Sequence, residues 1–209
     1  MALQTTQRGF ALVAALIFMV VLSIVAVGLS GTTTSEERMA RNFRDQDTAF
    51  AAAEAALRDG ELFVEGSWHY PYAPPPLEWF HAECDGGTGA IDSDGDGNDD
   101  NNLTISLKGL CDFPVGYTGL PVHKLDFFAT SDIGSRSVML GSVTQTPALP
   151  GLTSQPRYMI ELVTNIKGPQ DANGNSSRAF RITAMARGRL STTSVVLQEV
   201  YVVTKHANL

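Results

Sequence analysis

No residue between positions 10 and 35 carries a charge. Other absences are as informative. The chain has no Gly-x-Ser-x-Gly elbow, no Gly-Lys-Ser/Thr phosphate cradle and no histidine pair at helical spacing. The usual signatures of serine hydrolases, P-loop enzymes and helical zinc sites are therefore missing, and an enzyme is not expected. His69, His81, His123 and His206 read as surface or loop residues. Positive charge is also in short supply, with 15 Lys and Arg against 22 Asp and Glu and a net charge of −7. A nucleic-acid partner calls for a basic face, so none is expected.

The uncharged run itself is strongly apolar. Positions 10–29 hold thirteen Leu, Ile, Val or Phe residues, and at roughly 0.3 to 0.6 kcal/mol each they favour a bilayer by about 4 to 8 kcal/mol. About 20 helical residues cross the hydrocarbon layer, so a single membrane span is predicted. A cleaved secretory signal is the alternative, since Gly28-Leu29-Ser30-Gly31 loosely fits a small-residue cleavage site. Basic residues do not set the orientation, because Arg8 precedes the run while Arg38, Arg41 and Arg44 follow it. Cys84 and Cys111 are the only cysteines. An even pair in an exported domain points to one disulfide and an oxidising, periplasm-like compartment, with two buried thiols as the other reading.

The predicted fold class is α+β, a long N-terminal helix packed on a C-terminal antiparallel β-sheet. Thr34-Ser35-Glu36-Glu37 is a local capping signal within one helix over 10–59, with Gly60 as the first C-terminal signal. Met39, Phe43, Phe50 and Leu57, with Ala53 and Ala56 between, form the stripe expected to face the domain. Arg41, Arg44, Asp45, Glu54, Arg58 and Asp59 fall on the opposite, polar face. Strands are predicted at 158–166, 180–187 and 193–203, with weaker ones at 103–107 and 138–143. Tyr158, Ile160, Leu162 and Ile166 share one strand face, and Phe180, Ile182, Ala184 and Ala186 share another. The last strand is apolar on both faces and is expected to be central. The long polar loop at 167–175 and the turn at Gly188-Arg189 join the three into a meander. Residues 67–155 otherwise read as loops.

Within those loops, Asp92-Ser93-Asp94-Gly95-Asp96-Gly97-Asn98-Asp99-Asp100 places oxygens at alternate positions, as in the first half of a calcium loop. Asp92, Asp94 and Asp96 would give side chains, Asn98 a carbonyl, and Asp100 a direct or water-mediated contact. The twelfth position is Leu103, so this is no complete EF-hand. A solvated acidic turn is the alternative. The stretch 68–80 interleaves Trp68, Tyr70, Tyr72, Trp79 and Phe80 with prolines. It fits a partner-binding surface and packing against the helix equally well.

A leader ending in Arg8-Gly9, Phe10 as a prospective amino terminus, the half-apolar helix and the meander together resemble a class III signal peptide on a type IV pilin or pseudopilin. The runs at 32–42 and 47–61, with 156–161 and 180–188, resemble PilX-type minor pilins. The resemblance implies a pilin-like fold with a leader at 1–9, a filament-core half-helix at 10–34 and an amphipathic half at 35–60. A variable region at 61–155, with the disulfide and acidic loop, and a sheet at 156–209 complete it. It further implies cleavage between Gly9 and Phe10 and methylation of Phe10 by a prepilin peptidase. An inner-membrane anchor with a periplasmic domain precedes entry into a surface filament. The partners implied are other minor pilins, the major pilin, the assembly platform and a tip adhesin. Major pilins carry glutamate where this chain has Ala14, an absence shared with tip-located relatives. A K-type pseudopilin of a type II secretion system, and a bitopic membrane protein with a calcium-binding exported domain, stay open as alternatives.

Overall fold

A computed structural model describes residues 8–66, 75–90, 104–113, 119, 121–130, 133–163 and 178–203. The chain divides at Arg44/Asp45 into two compact units. The first is helical, and over residues 9–28 every side chain is exposed. It belongs to helix α1 (Arg8–Glu65), the one described helix long and apolar enough to cross a membrane.

The second unit begins with the remainder of α1, followed by β1 (Asp85–Ala90), β2 (Thr104–Lys108), β3 (Leu110–Cys111), β4 (Val138–Met139), β5 (Arg157–Val163), β6 (Arg178–Arg187) and β7 (Ser194–Val203). β1 and β2 form an antiparallel ribbon. The main sheet runs β3-β5-β6-β7, with β4 also on β5. β5, β6 and β7 form the predicted antiparallel meander, in register Ile160↔Ile182 and Ile182↔Glu199. β3 is parallel to β5, pairing Leu110 with Ile160. Of the strand predicted at 138–143, only Val138 and Met139 pair, because the chain turns at Gly141, whose φ is +73°.

The helix ends later than predicted. Gly60 lies inside α1 because a Cβ there would stand 2.7 Å from Ile182 Cγ2 and 3.4 Å from Tyr158 Cδ2. Bareness at this point lets helix and sheet approach. A mid-helix glycine costs about 1 kcal/mol relative to alanine, and here that cost secures close packing. The left-handed terminator is Gly66, at φ +69°, whose N–H donates to the Phe63 carbonyl at 3.1 Å.

The face that α1 buries keeps Ala53, Ala56 and the half-buried Leu57 of the predicted stripe but not its larger members Met39, Phe43 and Phe50. Ala49, Ala52, Ala53 and Ala56 are buried, together with Asp45, Asp59, Phe63 and Val64. Met39, Phe43 and Phe50 are exposed, Phe43 to 65% and Phe50 to 43%. Small side chains line the contact because only they let the helix sit close to Ile182, Ala184 and Ala186. Asp45 and Asp59 accordingly lie on the buried face, not the polar one.

β7 is an edge strand with one half-buried and one exposed face, whereas β6 is central and buried on both. The helix covers one side of β5 and β6. On the other, Val122, Leu125, Phe127 and the two cysteines cover Met159 and Met185. Residues read as loops thus build the cover on that side of the sheet. That cover leaves β7's outer face exposed, so a strand with apolar residues on both faces stands at the rim.

Candidate functional site

Four features of the described residues can bear on function. The first is the front of α1. Gly9 meets nothing within 4 Å of where a Cβ would stand, Phe10 is 77% exposed, and Ala14 is exposed as well. Folding therefore gives no reason for a glycine at position 9.

The second is a pair of carboxylate clamps that sequence reasoning placed on the wrong face. Asp59, 1% exposed, accepts the Gly141 N–H on Oδ2 at 3.0 Å and the Thr146 hydroxyl on Oδ1 at 2.5 Å. The Thr144 hydroxyl donates to the same Oδ1. A Cβ at Gly141 would run into the Thr146 carbonyl, so the loop closes around this acid with no room for a side chain. Tyr158 lies fully buried nearby, and burial, then the Asp59 charge, push its phenol well above the ordinary value. Asp45 does the same for the β6–β7 turn, where Oδ1 accepts the Arg189 N–H at 2.6 Å. At Gly188 a Cβ would lie 2.6 Å from that oxygen. The Thr193 hydroxyl, then the N–H groups of Arg189 and Leu190, hold the Asp45 carboxyl below its usual range against opposing desolvation.

Third is the disulfide. Cys84 and Cys111 are joined, with Cα atoms 4.3 Å apart, and both are fully buried against Met159 and Met185. His81 bridges to Cys111 in parallel. Arg136 ties the segment down by donating to the Glu83 carbonyl and lying 3.3 Å from the Glu83 carboxylate. Nearby, the Arg187 guanidinium sits 4.3 Å over the Phe128 ring and 3.5 Å from Asp126.

Fourth is an acidic cluster where α1 meets β7. Arg58 pairs with Glu61, and the Tyr201 hydroxyl donates to Glu65. Glu199 faces Glu61, and burial, then that neighbouring charge, raise its carboxyl. The bond to Glu65 pushes Tyr201 to about 12.

The structure thus brings together the two predicted cysteines and leaves Gly9, Phe10 and Ala14 on an exposed helical surface. Asp92, Asp94, Asp96, Asn98 and Asp100 lie outside the described residues, as do His69, His206 and the 167–175 loop. Among the described residues no group of three His, Cys, Asp or Glu is placed to hold a metal ion. His81 and His123 are exposed. Of the aromatic stretch, 68–74 also falls outside. Phe80 is core, stacked on Phe180 with ring centroids 5.6 Å apart, and Trp79 packs beside it, so this end of the stretch packs inward.

Two family models match the chain. One, described as PilX N-terminal, covers residues 8–58, and the other, described as type IV pilus assembly protein PilX C-term, covers residues 83–203. The second alone spans more than half of the sequence. Neither a search of characterised proteins nor one of solved structures gave a match.

Proposed function

We propose, since this chain belongs to the PilX family of type IV pilus assembly proteins, that it is the minor pilin of a priming or tip complex, released from its leader before assembly. The family is one of structural pilus-assembly subunits rather than enzymes, and an apolar N-terminal helix fits a membrane-anchored pilin. The finer steps are our reading. A prepilin peptidase cuts between Gly9 and Phe10 and methylates the new amine. The helix anchors the chain in the inner membrane with its domain in the periplasm. The apolar half then exchanges lipid for neighbouring helices, which offer similar surroundings. Partners in this reading are other minor pilins, the major pilin, the assembly platform and a tip adhesin.

The observation that carries the reading is a glycine at position 9 that no packing requires, next to an apolar stretch of α1 that is exposed from Phe10 to Gly28. A bare residue there suits a protease that must take the backbone in extended form. Mass spectrometry of the mature amino terminus is the test. Methylated Phe10 is expected, with the uncut chain recovered from cells lacking the peptidase. An intact Met1 in peptidase-positive cells, or a cut after residue 28, would defeat the proposal.

We also propose that Asp92, Asp94, Asp96, Asn98 and Asp100 hold calcium, supported by the alternating oxygens in the sequence. Calorimetric titration of calcium should give a binding heat that disappears in the Asp94→Ala/Asp96→Ala variant. Identical flat traces for both chains would sink the assignment.

A further inference from the structure

The outer edge of β7 is ten residues long, and among the described residues β7 pairs only with β6. A strand edge of this length with no pairing partner among the described residues presents a row of N–H and C=O groups, the usual template for adding a strand. Its two faces differ. Ser194, Val196, Gln198, Val200 and Val202 point away from the helix and are exposed, Val200 to 51%. On the helix side stand Val195, Leu197, Glu199, Tyr201 and Val203, all half-buried.

The charge on the helix side is unbalanced. Among the described residues, Glu61, Glu65 and Glu199 gather there with Arg58 as the cation that pairs with them. One Glu199 carboxylate oxygen is buried without a hydrogen-bond partner. Phe50 follows the same side of the helix, since 11 residues separate it from Glu61 and three turns of about 3.6 residues nearly close that interval. An occupant of the edge therefore meets valines on one face and, on the other, carboxylates in excess with an apolar ring near.

A second copy of this chain fits poorly. α1 and β7 run in the same direction, as Ala53 packs at the Val195 and Leu197 level, Glu61 at Glu199 and Glu65 at Tyr201. Two copies paired antiparallel through β7 would oppose their helices and bring both acidic clusters to one sheet face, where like charges repel.

We propose that the β7 edge receives an extended strand from a different protein, one alternating β-branched apolar residues with lysine or arginine, its basic side toward α1. Backbone hydrogen bonds would supply affinity and the Glu61, Glu65 and Glu199 carboxylates would set register and choice of partner. This deepens the pilus-assembly reading by naming a partner's chemistry. Its test does not depend on leader cleavage, so the two fail separately.

The experiment uses the full chain in nanodiscs and a capped synthetic decapeptide of alternating valine and lysine, with an alternating valine–glutamate peptide as control. Hydrogen–deuterium exchange should show slowed β7 amides with the first peptide. Affinity for the second should be at least about tenfold weaker. Val200→Lys, on an exposed face opposite Arg181 and so checked first for an unchanged melting temperature, should weaken the valine–lysine peptide by about tenfold or more. Absence of β7 protection, equal protection by both peptides, or β7 protection that rises with protein concentration in the absence of peptide would overturn the proposal. The last outcome would identify a second copy as the occupant.

Discussion

Asp59→Ala is expected to lower the unfolding free energy of the domain by about 3 kcal/mol, measured by denaturant titration of the full chain. The carboxylate takes one backbone N–H and two hydroxyls. The hydroxyls of Thr144 and Thr146 already lie 2.9 Å apart and can rotate onto each other. The Gly141 N–H is fixed by the backbone and loses the Asp59 oxygen that it donates to at 3.0 Å. An unsatisfied buried donor costs about 1 to 3 kcal/mol, and each lost net bond about 1. Asp59→Asn keeps one acceptor oxygen and should lose about half as much. A loss below about 1 kcal/mol for the alanine variant would mean that the 140–146 loop is held by something other than this acid.

Asp45 gives the partner clamp a pH signature. Its folded carboxyl titrates below the unfolded value of about 3.9. A depressed acid contributes stability that is present above the unfolded pKa and disappears as pH falls through the folded one. Melting temperature in the native chain should therefore decline more steeply below about pH 4 than in Asp45→Asn. Parallel acid limbs in the two proteins would show that the Thr193 and Arg189 contacts do not favour the ionised form.

How α1 meets its sheet explains which parts of the molecule could be read in advance. The uncharged front and the three long strands were legible because composition and period determine them almost alone: thirteen large aliphatic or Phe residues in the run, and alternation through 158–163, 180–187 and 194–203. The disulfide was legible because only two cysteines exist. The buried face of the helix was legible only in part, through Ala53, Ala56 and Leu57. Ranking positions by apolar size favours Phe43 and Phe50, whereas close approach selects Ala49, Ala52, Ala53, Ala56 and Gly60. A cue was present in the spacing: Asp45 and Asp59 are 14 residues apart, within about 40° of one helical direction, and the alanines lie between them. Val122, Leu125 and Phe127 gave no warning, because short irregular segments carry no period and their burial depends on the tertiary partner Met159. The edge position of β7 was hidden for a related reason, since valines on both faces of a strand read as core when its neighbours are unknown.

On the proposed tip reading, replacing Ala14 by glutamate should shift labelling from the filament end to positions along its shaft. A carboxylate inside an apolar span costs about 2.5 to 3.5 kcal/mol, and in a filament of co-directed helices that cost is offset only where an amine of the neighbouring subunit pairs with it. Major pilins have this acid and therefore need a subunit ahead. The native chain presents Ala14 at an exposed helical position, can make no such pair, and so loses nothing by having no subunit in front of it. Immunogold labelling of sheared filaments reads the difference. The native chain should mark single ends and Ala14→Glu should mark the shaft, at several particles per filament. Uniform shaft labelling by the native chain would remove the tip assignment. End labelling that persists in Ala14→Glu would mean that the domain, rather than the charge at position 14, decides where the subunit stops.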